Sequence, residues 1–90
     1  MTIKITQSAR QFGYIIWSNK IEPDMKNLLG SRSEIAVTFN GLPLGIKSID
    51  WKYHRISLGY KHTHALPENA NAFILELQGE VLEVRTINAE

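Results

Sequence analysis

Hydrophobic and polar residues alternate along most of this chain with a period of two, which is the spacing of β-strands that bury one face. The clearest example is residues 35–39, which alternate Ile, Val and Phe with smaller or polar residues and lead into Asn40-Gly41. An Asn-Gly pair between two alternating segments is the strongest local signal for a β-hairpin. Pro43 in the return strand indicates an edge position or a bulge, because proline cannot donate to a strand ladder. The pattern therefore predicts a hairpin over residues 34–49.

Other segments also have strand patterns, and one has the spacing of a helix. The further predicted strands are residues 2–6, 12–17, 56–60, 73–77 and 81–87. In residues 22–29, Pro23 suits the first helical turn, the apolar residues fall at spacings of three and four, and Gly30 follows where a helix should end. We predict a mostly β fold, either a small β-barrel or a strongly curved antiparallel sheet of about six or seven strands, with one short helix over residues 22–29.

Two of the predicted hairpins have similar sequences. Residues 34–49 align with residues 72–87 without a gap, so that Gly41 falls on Gly79 and most of the apolar positions coincide. An internal repeat of this kind predicts a barrel with a pseudo-twofold axis, which would close its own strand edges. The alternative is that any two hairpins with a glycine turn share this pattern.

Length, charge and composition limit the class of protein. Ninety residues predict a single domain over residues 1–90, with the last few residues frayed. The chain has no cysteine, which excludes disulfides and cysteine-ligated zinc. Its formal net charge of +1 gives no overall attraction to nucleic acid. Because the apolar runs are short and the first residues lack the apolar core of a signal peptide, we expect no membrane association and a cytoplasmic location.

The most unusual composition is that of residues 51–64, WKYHRISLGYKHTH. This segment contains three of the ten basic residues, all three histidines and no acid. If residues 56–60 form a strand, alternate side chains lie on opposite faces. The inward side chains would be Ile56, Leu58 and Tyr60. The outward side chains would be Tyr53, Arg55 and Lys61.

The outward face predicts a nucleic-acid-binding surface. This face offers two cations and an aromatic ring, and its successive positions are about 6 to 7 Å apart, which could follow a phosphate backbone. An exposed aromatic ring can also stack on an unpaired base. The predicted binding residues are Lys52, Tyr53, Arg55, Lys61, Arg10 and His62. His62 would add a pH-sensitive contribution. The alternative is an ordinary solvated sheet face with scattered cations.

Metal binding and catalysis are less well indicated. His62 and His64 would share one face of an extended strand, which is a spacing that metal-binding strands use. His54 would lie about 26 Å from His62 along a straight strand, too far to join them. The chain contains no nucleophile elbow, phosphate-binding loop or carboxylate-histidine metal motif. We predict no metal site, no cofactor and no enzymatic activity, and keep a histidine metal site only as a third hypothesis.

Three motifs follow one another in residues 2–49. They are Gly13-Tyr14-Ile15-Ile16, then Met25-Lys26-Asn27-Leu28-Leu29-Gly30, then Glu34-Ile35-Ala36-Val37 up to Asn40-Gly41. Their order resembles that of the AbrB/MazE-type swapped-hairpin barrels of bacterial DNA-binding regulators and antitoxins. The resemblance implies a shared barrel and dimerisation. Tyr14 stands where that family usually has a basic residue, so the family's DNA contacts are not carried over to this chain.

These observations lead to two functional hypotheses of different classes. The first is a small bacterial or mobile-element binding module that contacts DNA or RNA through the basic and aromatic strand face. The second is a protein-interaction or oligomerisation module, such as an antitoxin-like or phage-type adaptor, in which the hairpin edges pair with a protein partner or with a second copy in a homodimer.

Overall fold

Strands dominate the computed structural model, which describes residues 1–88. In chain order its elements are β1 (Thr2–Lys4), α1 (Gln7–Phe12), β2 (Tyr14–Ile16), α2 (Glu22–Leu29), β3 (Glu34–Phe39), β4 (Leu42–Asp50), β5 (Arg55–Ser57), α3 (Tyr60–His64), β6 (Ala70–Gln78) and β7 (Val81–Asn88). The seven strands form one sheet in the order β1-β6-β7-β3-β4-β5-β2, which is nearly closed into a barrel. The predicted mostly β fold of six or seven strands is therefore confirmed.

Both predicted hairpins are present. Asn40 and Gly41 connect β3 to β4 with φ angles of 48° and 84°, and two positive φ angles are what a tight type I′ hairpin turn requires. Gly79, with φ 62°, begins the turn between β6 and β7. The register of β3 against β4 shifts at Val37, where one extra residue forms a bulge beside Pro43. This irregularity confirms the interpretation of that proline.

The two hairpins lie side by side, and the join between them is parallel. β3 pairs with β7 in parallel over four residue pairs, whereas every other pairing in the described sheet is antiparallel. A twofold axis relating the hairpins would instead place equivalent strands together, β3 against β6 or β4 against β7. The pseudo-twofold arrangement is therefore not found. The Asn40 side chain strengthens the parallel join, because its Oδ1 accepts from the Thr86 N–H at 3.1 Å.

The core lies between the inward faces of the strands and α2. Alternate residues of each long strand are buried, as the period of two predicts, and Phe73, Leu75, Leu82 and Val84 have no exposed surface. Helix α2 has the predicted bounds and buries Met25 and Leu29 in the same core. Since α2 spans only two turns, this packing is what stabilises it.

Helix α1 was not predicted, and it shortens the strand expected over residues 12–17. Thr6 begins the helix, with its Oγ1 accepting from the Ala9 N–H at 3.0 Å, and Gly13 ends it at φ 81°. Such capping by threonine and glycine fixes both ends of a six-residue helix whose one fully buried side chain is Ala9. The strand that follows is limited to Tyr14–Ile16.

The strand expected over residues 56–60 is also interrupted. Ile56 and Leu58 are buried as predicted, but Tyr60 is 59% exposed, so its assignment to the core is wrong. Gly59 adopts φ 99°, a conformation that turns the chain out of β5 and into α3. A third helix therefore replaces the end of the predicted strand, and the described residues contain three short helices instead of one.

Strand β7 extends to Asn88, so the fraying expected for the last few residues stays a prediction. Residues 89 and 90 lie outside the described residues.

We expect Gly13→Ala to destabilise the protein far more than Gly41→Ala. Both glycines have nearly the same φ, 81° and 84°, so the backbone strain of an alanine costs about 1–2 kcal/mol at either position. A Cβ at residue 13 would lie 2.4 Å from the Tyr60 backbone N, whereas one at residue 41 would meet nothing within 4 Å. Urea unfolding should therefore show a loss of more than about 3 kcal/mol for Gly13→Ala. Equal losses in the two variants would contradict the close approach.

Candidate functional site

The Arg55 guanidinium lies over two tyrosine rings on the outer face of the sheet. Its Cζ is 4.5 Å from the centroid of the Tyr14 ring and 5.2 Å from that of Tyr53. Lys52 Nζ also lies over Tyr53, at 5.3 Å from the centroid. Cations within about 6 Å of an aromatic ring are attracted by its electron-rich face. We call Tyr14, Lys52, Tyr53 and Arg55 the stacked cluster.

Strand pairing brings Tyr14 to Arg55. In the antiparallel pair of β2 and β5, Ile15 lies opposite Ile56 and both side chains are fully buried. Their neighbours must then point outward, because successive side chains of a strand alternate between faces. Arg55 lies opposite Ile16, so Tyr14 is its diagonal neighbour, within reach of a long side chain. Tyr14 was not among the predicted binding residues.

Asp50 holds the cluster from the neighbouring strand. It lies opposite Arg55 in the β4–β5 pair, with 3.5 Å between its Oδ2 and the Arg55 Nε. Its other oxygen, Oδ1, accepts from the Tyr53 N–H at 2.9 Å. One carboxylate thus fixes both the guanidinium and the turn that carries Tyr53. The Tyr53 ring itself remains 58% exposed.

The turn between β4 and β5 is anchored to the rest of the protein. The Trp51 Nε1 donates to the Arg32 carbonyl at 2.7 Å. His54 adopts the left-handed φ of 57°, and its carbonyl accepts from the Trp17 N–H at 3.0 Å. A non-glycine residue with positive φ is uncommon and persists where surrounding contacts hold it. These contacts therefore hold the turn that carries Lys52 and Tyr53 in place.

Beneath this turn, Glu22 of α2 makes polar contacts with Trp17 and His54, two residues that are far from each other in the sequence. The Trp17 Nε1 donates to Oε1 at 2.7 Å, and the buried His54 Nδ1 lies 3.0 Å from Oε2. The His54 contact has the distance of an ion pair but not the direction of a strong hydrogen bond. The Trp17 hydrogen bond, followed by the His54 contacts, lowers the pKa of Glu22, and burial partly opposes this shift. The network ties α2 to the turn.

Arg10, which the sequence predicts to bind nucleic acid, lies on α1, away from the stacked cluster. Its Nη1 donates to the carbonyls of Leu66 and Pro67 at 2.9 and 3.0 Å, and its Nη2 donates to that of Ala70 at 2.8 Å. The guanidinium therefore binds backbone carbonyls of the loop between α3 and β6 and of the first residue of β6. Sequence alone could not reveal this contact, since the partners lie more than fifty residues away.

Helix α3 separates Lys61 and His62 from the strand face. Because residues 60–64 are helical, Lys61 does not continue the outward row of Arg55. The His62 ring is half-buried and packs edge-on against Phe39, 6.3 Å between centroids. His64 contacts the exposed ring of Tyr60 instead. Among residues 1–88, no group of three or more His, Asp or Glu side chains is close enough to hold a metal ion.

Of the six predicted residues, the structure thus brings three together, Lys52, Tyr53 and Arg55. The other three, Arg10, Lys61 and His62, lie on the pair of short helices α1 and α3.

Comparison of the chain with known protein families, curated proteins and solved structures finds no match. The resemblance to AbrB/MazE-type barrels therefore stays a prediction from sequence. None of the helices in the described part of the chain is long and apolar enough to cross a membrane.

Glu22→Gln should weaken the dependence of stability on acid pH. A lowered pKa in the folded protein stabilises it above the ordinary value of 4.5, and this stabilisation is lost as the pH falls through the lowered pKa. The free energy of unfolding by urea, measured from pH 7 to pH 3, should fall less steeply in the variant than in the wild type. Trp17→Phe removes the hydrogen-bond donor that lowers the pKa of Glu22 the most, so it should partly reduce the slope of stability against pH. Identical slopes in Glu22→Gln and wild type would refute the network.

Arg10→Ala should destabilise the protein more than Arg85→Ala. The first change leaves three backbone carbonyls without a charged donor, at a cost of about 1–3 kcal/mol. Arg85 forms ion pairs with the half-exposed side chains of Glu76 and Glu83 on the sheet surface, and such pairs contribute about 0–1 kcal/mol. Urea unfolding of both variants measures the difference. A larger loss for Arg85→Ala would show that the Arg10 contacts are not stabilising.

Proposed function

We propose that this protein binds single-stranded nucleic acid through the stacked cluster. The observation that carries the proposal is the Arg55 guanidinium over the rings of Tyr14 and Tyr53, with Lys52 beside them. Two cations and an exposed aromatic ring on one rigid surface provide both interactions that single strands offer, phosphate contacts and base stacking.

The cluster divides these two roles among its residues. A guanidinium that stacks through its plane keeps N–H groups at its edge for phosphate oxygens, and Lys52 offers a second cation. The Tyr53 ring, held at the turn by Asp50, is exposed enough for a base to stack on it. Asp50 is the acid in contact with Arg55, so the patch keeps an excess of positive charge.

Single strands suit this surface better than duplexes. Stacking on tyrosine requires an unpaired base, whereas duplex recognition needs an element that enters a groove or a long row of phosphate contacts. The net charge of +1 is too small to supply such a row. We expect a modest, strongly salt-dependent affinity, with a Kd on the order of 10⁻⁵ M at low salt.

The edge of β4 favours this proposal over pairing of the hairpin edges with a protein. In the described part of the chain, residues 42–48 of β4 pair with β3 alone, and no strand pairs with their other side. That edge carries Pro43 and the bulge, with Gly45 at φ 80°, and both features prevent a regular strand from being added. Dimerisation through this edge is therefore not part of the proposal.

Fluorescence anisotropy with labelled single strands of about 12 nucleotides, DNA and RNA, and with the matching DNA duplex, tests the proposal. We expect binding to the single strands that weakens as salt rises, by a slope of about 0.7 per phosphate contact in a plot of log affinity against log salt. Tyr53→Ala should cost about 1–3 kcal/mol of binding free energy, the usual value for one stacked base. Arg55→Ala should lower both the affinity and the slope.

Two variants with the same loss of charge serve as controls. Arg85 lies on β7 beside Glu76 and Glu83, so Arg85→Ala should bind single strands as the wild type does. Lys61 was predicted to lie on the same strand face as Arg55, but it lies on α3. Lys61→Ala should therefore weaken nucleic-acid binding less than Arg55→Ala does. If no single strand binds at low salt, or if Arg85→Ala weakens binding as much as Arg55→Ala, the proposal is wrong.

A further inference from the structure

The barrel is open at one seam, between β1 and β2. These strands stand at the two ends of the sheet order, and in the described residues each pairs with one neighbour only, β1 with β6 and β2 with β5. A groove of about 250 Å³ lies along the seam. Its lining includes Thr2, Lys4 and Thr6 on one side and Ile16, Trp17 and Ser18 on the other.

The backbone of β1 offers free hydrogen-bonding groups to this seam. Met1 and Ile5 bond to β6, since the Met1 carbonyl accepts from the Leu75 N–H at 2.8 Å and the Ile5 N–H donates to the Asn71 carbonyl at 2.9 Å. Successive residues of a strand direct their N–H and C=O groups to opposite sides. Thr2 and Lys4 therefore direct theirs into the seam.

The same alternation applies to β2. The Gly13 carbonyl accepts from the Leu58 N–H at 2.7 Å, and the Trp17 N–H donates to the His54 carbonyl at 3.0 Å, so the odd-numbered residues bond to β5. Tyr14 and Ile16 direct their backbone groups toward the seam. Two unpaired strand edges thus face each other across the groove.

We infer that the seam binds an extended, acidic segment of a partner protein, which is added to the sheet as an eighth strand. Only a polypeptide in the extended conformation matches two rows of strand N–H and C=O groups, and its addition would close the barrel. The pairings through the sheet make β1 and β2 run in opposite directions, so the inserted strand is antiparallel to one and parallel to the other.

The side chains of the groove define the chemistry of the segment. Ile16 and Ile21, both half-buried, offer apolar contacts, which favour valine or isoleucine at alternate positions. Lys4 is exposed, and no aspartate or glutamate is among the residues that line this groove in the described chain. An acidic residue in the segment would therefore have Lys4 as its partner. A second copy of the chain has no free strand to insert, because each of its seven described strands is already paired in its own sheet.

A fluorescent peptide of alternating valine and glutamate, about seven residues long, tests the inference by polarisation measurements with the full chain. In the peptide's backbone, alternate residues would bond to β1 and to β2. Peptides N-methylated at either set of alternate residues should both bind at least about tenfold more weakly than the parent, because each set loses several hydrogen bonds. If the parent does not bind, or if neither methylated peptide binds more weakly, the inference is wrong.

A reversal of charge tests the role of Lys4. Lys4→Glu should weaken binding of the acidic peptide by roughly tenfold and strengthen binding of a matched peptide with lysine in place of glutamate. Lys61→Glu makes the same change in charge at an exposed position on α3 and should leave both affinities near those of the wild type. Equal effects of the two variants would contradict the assignment of the acidic segment to this groove.

Discussion

The contact between Gly13 and Gly59 is the constraint on which the rest of the structure depends. The Gly13 carbonyl accepts from the N–H groups of Leu58 and Gly59, at 2.7 and 3.1 Å. Both glycines adopt positive φ, and a Cβ on Gly13 would overlap the backbone of Tyr60. At this one crossing α1 ends, β2 begins, β5 ends and α3 begins. A side chain at residue 13 would separate the two segments, so the short strands could not pair.

The crossing also determines which residues form the candidate site. It sets the register in which Ile15 lies opposite Ile56, and that register turns Tyr14 and Arg55 to the outer face. Asp50 and the anchored turn then complete the stacked cluster. Because β2 pairs with β5 on one side and stands at the end of the described sheet, its other edge faces the seam. The proposed nucleic-acid surface and the proposed peptide groove are thus two sides of the same three-residue strand.

Local signals in the sequence were sufficient for the hairpins and α2, but not for the contacts between distant segments. Asn40-Gly41 and strict alternation specify a hairpin without reference to the rest of the chain. Helices α1 and α3 are too short to have a periodic pattern and depend on caps and glycines, so residues 12 and 60 were placed in strands. The parallel β3–β7 join and the Arg10 contacts are non-local, and neither leaves a signal in neighbouring residues. Three of the four residues of the stacked cluster were therefore predictable, namely those close together in sequence, whereas Tyr14 was not.

We propose that the β2–β5 register assembles a surface for single-stranded nucleic acid from Tyr14, Tyr53 and Arg55. An NMR titration of the ¹⁵N-labelled protein with a short oligothymidylate tests it most directly, because it reports the position of the ligand residue by residue. We expect the largest shifts at the amides of Tyr14 and Tyr53 and at the Arg55 Nε–H. Shifts centred on α3, or no shifts at all in low salt, would contradict it.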